Sequence, residues 1–130
     1  MTRISCLCGI NAFEIRGTIH NARYCHCGNC RKFSGAGYAA WGIVSRDHLE
    51  LTSSDLNVTK YDSGGGLRVF CNSCGSPLWF EPADFPAIRG IPLGVIDDPE
   101  IAAPGMHVWT KSKVPWVSLP DDAEQHETHP

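Results

Sequence analysis

All seven cysteines of this 130-residue chain lie in three tight clusters: Cys6-Leu7-Cys8-Gly9, Cys25-His26-Cys27-Gly28-Asn29-Cys30 and Cys71-Asn72-Ser73-Cys74-Gly75. With one or two residues between them, neighbouring thiolates can turn toward one ion at the zinc–sulfur distance of about 2.3 Å. A disulfide framework would spread its cysteines along the chain, although an oxidising compartment could still pair six of the seven. Seven divides into a closed four-thiolate site and an open three-thiolate site, the arrangement expected of one structural and one catalytic zinc. Cys25, Cys27 and Cys30 can share an ion at little loop-closure cost, leaving a fourth position for substrate. Cys6, Cys8, Cys71 and Cys74 then meet across the intervening chain and staple its two ends. Two other readings stay open: both sites are purely structural, or the thiolates hold iron, which tetrahedral sulfur also accepts.

The length fits one ordinary domain, and 42% hydrophobic residues can fill a modest core. Met1 to Gly9 carries a cysteine pair where a signal peptide would carry an apolar run, and no stretch approaches the roughly 20 apolar residues that span a bilayer. The expected location is the cytoplasm, where reduced thiols favour metal. The formal charge is −3, and ionised thiolates would make the loaded protein more acidic. That argues against a nucleic-acid partner, which needs clustered Lys and Arg. Arg31-Lys32 is the one adjacent basic pair; it could offset an anionic metal site, meet an acidic substrate, or lie in a solvated turn.

Alternation over Gly9–Gly17 and Thr18–Tyr24 predicts two strands joined at Arg16-Gly17 as a hairpin between the first two clusters. Asn29–Ser34 predicts one helical turn. Tyr38–Ser45, Leu49–Thr52, Val58–Tyr61, Leu67–Phe70, Leu78–Glu81, Ala87–Val95 and Met106–Thr110 predict further short strands, so the fold class is mainly β. Gly64-Gly65-Gly66 lacks the Gly-Lys-Ser/Thr that a phosphate loop needs and reads as a hairpin turn. Asp121–Pro130 has four acidic residues, two histidines and no large apolar side chain. It is expected to be a disordered tail after a single domain over residues 1–120. His126 and His129 either bind adventitious metal or belong to that solvated tail.

Four motifs now stand in order: Cys-Leu-Cys-Gly near the start; Tyr24-Cys-His-Cys-X-X-Cys-Arg-Lys32 leading to Ser34-Gly35; Phe70-Cys-X-X-Cys-Gly-Ser-Pro-Leu78; and His107-Val-Trp-X-X-Ser-Lys-X-Pro-Trp116. Together they resemble the glutathione-dependent formaldehyde-activating enzymes, a family that includes centromere protein V. The resemblance runs from about Arg3 to Pro120. It implies a β-tent zinc-binding fold of short antiparallel strands with two zincs. The structural zinc would lie on Cys6, Cys8, Cys71 and Cys74, and the catalytic zinc on Cys25, Cys27 and Cys30. One departure is Ile4, where a glycine is common.

Three thiolates on a divalent ion leave a local charge of −1, a poor setting for a strong Lewis acid and a good one for delivering a thiolate nucleophile. The resemblance implies a carbon–sulfur lyase or synthase joining a thiol, glutathione, to a small aldehyde, formaldehyde; the acidic charge and the lack of a bilayer-length apolar stretch add the expectation of no nucleic-acid or membrane partner. Arg31, Lys32 and Arg68 are candidates for holding glutathione carboxylates, and His26 and His107 for moving the proton. The rival readings are the same chemistry on another thiol or aldehyde, and a non-enzymatic zinc-stabilised module that binds a protein partner.

Overall fold

The computed structural model describes residues 1–51, 56–100 and 103–130, and the counts below refer to these. Thr2–Ser5 (β1) and Ala12–Ile15 (β2) pair antiparallel, with the register Thr2↔Ile15 through Ser5↔Ala12. The chain between them is the first cysteine cluster, so this knuckle is the hairpin's tip. It is closed by Cys6 N–H on Asn11 O at 3.1 Å and Gly9 N–H on Cys6 O at 3.1 Å. Leu49–Leu51 (β5) adds to β2 and completes a three-stranded sheet in the order β1-β2-β5. The predicted strand over Leu49–Thr52 is seen over Leu49–Leu51, and Thr52 lies outside the described residues.

The second sheet has seven strands. His20–Cys25 (β3), Ala39–Ser45 (β4), Val58–Asp62 (β6), Gly66–Cys71 (β7), Pro77–Pro82 (β8), Ile88–Pro92 (β9) and Met106–Val108 (β10) run in the order β10-β3-β4-β9-β8-β7-β6. Only β10 and β3 are parallel; the other pairs are antiparallel. Gly64 and Gly65 turn β6 into β7, the hairpin their sequence implies, and the third cysteine cluster is the tip between β7 and β8. The helix α1 spans Gly28–Ser34 and ends at Gly35, whose φ of 72° is the left-handed cap geometry that glycine supplies without strain. Among the described residues, no helix is long and apolar enough to cross a membrane.

The hairpin expected between β2 and β3 does not form. β2 pairs with β1 and β5, whereas β3 belongs to the other sheet. The reason lies at Arg16-Gly17: Arg16 N–H bonds His48 O at 2.8 Å, and Gly17 packs so tightly on the His48 ring that a Cβ there would stand 2.9 Å from Nδ1. The chain is thereby held against the β5 side and crosses between layers, with Gly17 at φ 75°. The acidic tail also departs from expectation. Met106–Val108 leaves one edge free beyond β3, and the tail occupies it in parallel through the bridge His107↔Gln125. His107 N–H bonds Glu124 O at 2.8 Å, His126 N–H bonds His107 O at 2.9 Å and Trp109 N–H bonds Thr128 O at 3.0 Å. Backbone pairing thus orders a segment that has little apolar surface to bury.

Alternation along the strands divides the seven-stranded sheet into two working faces. Val44, Val69, Trp79 and Ile91 point toward Ile4, Phe13 and Ile15 of the three-stranded sheet and form the main core. Phe13 meets Trp79 edge-to-face with centroids 5.3 Å apart. Arg68, Phe80 and Trp41 point the other way, to the face that carries Cys25 and Cys30. Phe13→Ala should therefore cost about 3–5 kcal/mol of unfolding free energy, by analogy with other buried aromatic truncations. Tyr61→Ala, at a 60% exposed position, should stay within about 0.5 kcal/mol. Urea titrations giving equal losses would contradict this division into core and surface.

Candidate metal centres

Two hairpin tips meet on the core side. The sulfurs of Cys6, Cys8, Cys71 and Cys74 all lie within 4.8 Å of one another. Cys6 Sγ is 3.6 Å from Cys8 Sγ, and Cys8 Sγ is 3.8 Å from Cys71 Sγ. Four sulfurs held tetrahedrally about 2.3 Å from a shared ion stand about 3.8 Å apart, so the spacing fits a metal. It is far longer than a disulfide bond of about 2.05 Å. Backbone donors reach the sulfurs as they do around thiolates: Asn11 N–H to Cys6 Sγ and Cys74 N–H to Cys71 Sγ, both at 3.4 Å. Gly9 and Gly75 follow the last cysteine of each tip with φ of 80° and 79°, so both knuckles need the left-handed geometry glycine favours. Gly28 does not share it; it opens α1 instead.

Several polar residues that carry no sequence signature lock the two tips together. Asn11 is buried; its Nδ2 donates to Asn57 O at 2.9 Å and its Oδ1 accepts from Asn57 N–H at 3.0 Å. Asn57 O also accepts from Asn72 N–H at 2.8 Å, next to Cys71. Ser76 Oγ accepts from Leu7 N–H at 2.9 Å and lies 3.2 Å from Cys74 Sγ. Hydrogen bonds from the Ser76 hydroxyl and amide hold the Cys74 thiol down at about 5, which favours the ligating thiolate. Only Ser76, within the Cys-X-X-Cys-Gly-Ser run, had a neighbouring motif to point to it.

The three-cysteine group lies on the opposite face. Cys25 ends β3, Cys27 caps α1 by accepting Cys30 N–H at 3.3 Å, and Cys30 sits in the helix's first turn. All three sulfurs are within 4.8 Å of one another. Hydrogen bonds from the Cys25 and Cys30 thiols hold Cys27 far below the ordinary thiol range, while those contacts and burial push Cys25 up. Three adjacent thiols therefore do not all ionise without a cation, and a divalent ion is what this donor set suits.

Arg68 reaches this group from β7. It is 5% exposed, its Nη2 lies 3.9 Å from Cys30 Sγ, and its Nε donates to Ser63 Oγ at 3.1 Å. Phe33 and Phe80 cover its guanidinium with centroids at 5.4 and 4.8 Å. Nη1 has no hydrogen-bond partner among the described residues. A buried cation of this kind needs a nearby anion, and the three-cysteine group, whose Cys27 is held low by the neighbouring thiols and by the Arg68 charge, is in place to supply it.

Beside the three sulfurs opens a cleft of about 510 Å³ whose walls include Arg68, Phe80, Asp84, Phe85, Trp109 and His129. A second recess of about 500 Å³, lined by Lys32, Phe33 and Tyr61, shares Gly28, Asn29, Ser63 and Arg68 with it. Of the three basic candidates, Lys32 and Arg68 line these spaces and Arg31 does not. His26 and His107, the expected proton carriers, line neither. His26 is fully buried, its Nε2 is 2.9 Å from His107 Nδ1, and burial pushes both imidazoles down. They are a neutral pair in which one ring donates and the other accepts, and the His26 backbone N–H bonds Val108 O at 3.0 Å. Their role is to fix the Cys25–Cys27 turn against β10.

A family model described as glutathione-dependent formaldehyde-activating enzyme matches residues 1–112. A Schizosaccharomyces pombe protein named as an uncharacterised lyase is 30% identical over 79 residues, 58% of this chain and 54% of that protein. A Podospora anserina protein, provisionally named a glutathione-dependent formaldehyde-activating enzyme, is 32% identical over 79 residues, 58% of this chain and 37% of that protein. The match thus spans about half or less of these relatives' lengths. A crystal structure of a Rhodobacter sphaeroides protein shares the fold, with a TM-score of 0.62 at 22% identity over 73% of this chain and 87% of that one.

The two cysteine groups should differ in what they support. Cys71→Ser or Cys74→Ser breaks the joint between hairpin tips and should cost more than about 4 kcal/mol, the range reserved for loss of a network or metal. Cys27→Ser keeps an N-cap acceptor for α1 and should cost about 1 kcal/mol. Equal losses in thermal melts would mean that the three-cysteine group is a rivet as well.

Proposed function

The chain belongs to the glutathione-dependent formaldehyde-activating enzyme family, and from that membership we propose that it is a zinc-dependent carbon–sulfur lyase or synthase joining a thiol to a small aldehyde. Glutathione and formaldehyde are the substrates the family points to. Cys6, Cys8, Cys71 and Cys74 would hold a structural zinc, and Cys25, Cys27 and Cys30 a catalytic one. The observation that carries this reading is the asymmetry of the two groups: four sulfurs close on one another between hairpin tips, whereas three border an accessible cleft. Zinc on three thiolates would supply one thing, a position at which an incoming thiol is held ionised near neutral pH.

The chain's own residues would do the rest. Arg68 offsets the negative charge of the thiolates from its buried place beside Cys30. Lys32 and Arg68 line a recess that contains no carboxylate, a setting for the anionic end of glutathione. Phe80 and Trp109 give the cleft apolar walls on which a small carbonyl compound displaces water. The aldehyde then lies within reach of the sulfur, and the thiol and carbonyl are brought together by position.

Glutathione added to the cobalt-substituted protein should perturb the visible spectrum, and binding should weaken as pH falls because the bound form is the thiolate. Lys32→Gln should weaken glutathione up to about fivefold, the worth of one exposed charge pair, and leave 2-mercaptoethanol unaffected. Adduct formation with formaldehyde should outrun the protein-free rate. No spectral response to either thiol, with formaldehyde consumed at the background rate, would defeat the enzyme reading and favour a structural zinc module.

A further inference from the structure

Joining a thiol to an aldehyde moves one proton from sulfur to oxygen, so the site needs a group that accepts and returns a proton near neutral pH. Imidazole is the side chain suited to that range. His26 and His107 are sealed against each other and do not line the cleft. Among the described residues that line it, the one imidazole is His129. It stands beyond residue 112, where the family match ends.

Its position is held. The tail lies in parallel beside β10, with Trp109 N–H on Thr128 O at 3.0 Å and Thr110 Oγ1 on His126 O at 3.1 Å. His129 then packs edge-on against Trp109, with centroids 5.2 Å apart, and against Phe85 at 6.5 Å. It also borders the narrower recess that reaches Cys25, Cys30 and Trp41. The ring is exposed, so it can exchange protons with water between turnovers.

We propose that His129, delivered by the C-terminal segment, is the proton carrier of the thiol–aldehyde reaction at the three-cysteine site. This rests on the reaction class proposed above. The imidazole takes the proton of the incoming S–H. The sulfur's electron pair forms the C–S bond as the carbonyl π pair moves to oxygen. The imidazolium then returns the proton to that oxygen, so a thiol and an aldehyde become a hemithioacetal with nothing oxidised or reduced. Breakdown of the adduct runs the same transfers backwards. The charged groups sharing the cleft are Asp84, Arg68 and the three cysteines. Arg23 borders the inner recess, Lys111 lies over the Trp109 ring at 4.9 Å, and Glu127 precedes on the same segment.

The test uses the full zinc-loaded chain with glutathione and formaldehyde. His129→Gln should lower kcat/KM by roughly 10²-fold and remove the acid limb of its pH profile, with zinc content and melting temperature unchanged. Added imidazole should restore His129→Ala. Unchanged rates and an unchanged profile would overturn the proposal, and so would an acid limb that survives in His129→Gln but is lost in Asp84→Asn. If the wild-type chain makes no adduct at all, the reaction class itself fails, and ring resonances of His129 during a glutathione titration decide the remaining question. A shift confined to His129 keeps it in the thiol site; no shift removes it.

Discussion

Everything in this structure hangs on the meeting of two hairpin tips at Cys6, Cys8, Cys71 and Cys74. Cys8 and Cys71 are 63 residues apart in sequence, and closing a loop of that length costs about 4 kcal/mol of chain entropy before the closure constant is added. Four thiols alone do not repay that, since sulfurs at 3.6 to 3.8 Å repel one another once ionised. A zinc ion on these four sulfurs would contribute about 10 kcal/mol or more, the right size to hold β1–β2 against β7–β8. That joint sets the three-stranded sheet on the seven-stranded one and so creates the core around Phe13 and Trp79.

The same sheet then acts as a partition. Along β7, Val69 and Cys71 face the core and the four-cysteine group, while Arg68 faces the three-cysteine group. One strand therefore carries a cysteine of one group on one face and the positive charge beside the other group on the opposite face, a direct use of the two-residue period of a strand. The arrangement separates the two groups: hydrogen-bonded bracing between hairpin tips on one face, a bordering cleft and the buried Arg68 charge on the other.

How much of this was legible in the sequence depended on whether the relevant physics is local. The cysteine partition follows from spacing and count, and the structure brings together the two groups that the spacing suggests. Most strands follow from alternation, as do the Gly64–Gly66 turn and the helical turn at α1. Strand partners do not: β2 reads as a strand, but its choice of β1 and β5 over β3 depends on His48 meeting Arg16 and Gly17 from some thirty residues away. β1 itself is too short to show a pattern. The bracing asparagines were invisible because an Asn between strands resembles any turn residue until its partner is known. Composition likewise marks residues 121–130 as a frayed tail, yet an open strand edge supplies backbone partners that composition does not count. Arg68 could be named as a candidate, but its burial between Phe33 and Phe80 required the fold.

The central claim is that the chain holds two sulfur-ligated zincs with unequal duties, and zinc content followed through stepwise chelation tests it most directly. Two zinc ions are expected per reduced chain, with X-ray absorption showing sulfur as the protein donor at both. The first ion should leave under mild chelation with the fold intact and Cys25, Cys27 and Cys30 newly reactive to thiol reagents; loss of the second should unfold the chain. A single zinc per chain in reduced, zinc-replete protein, with those three thiols freely reactive from the start, would contradict it.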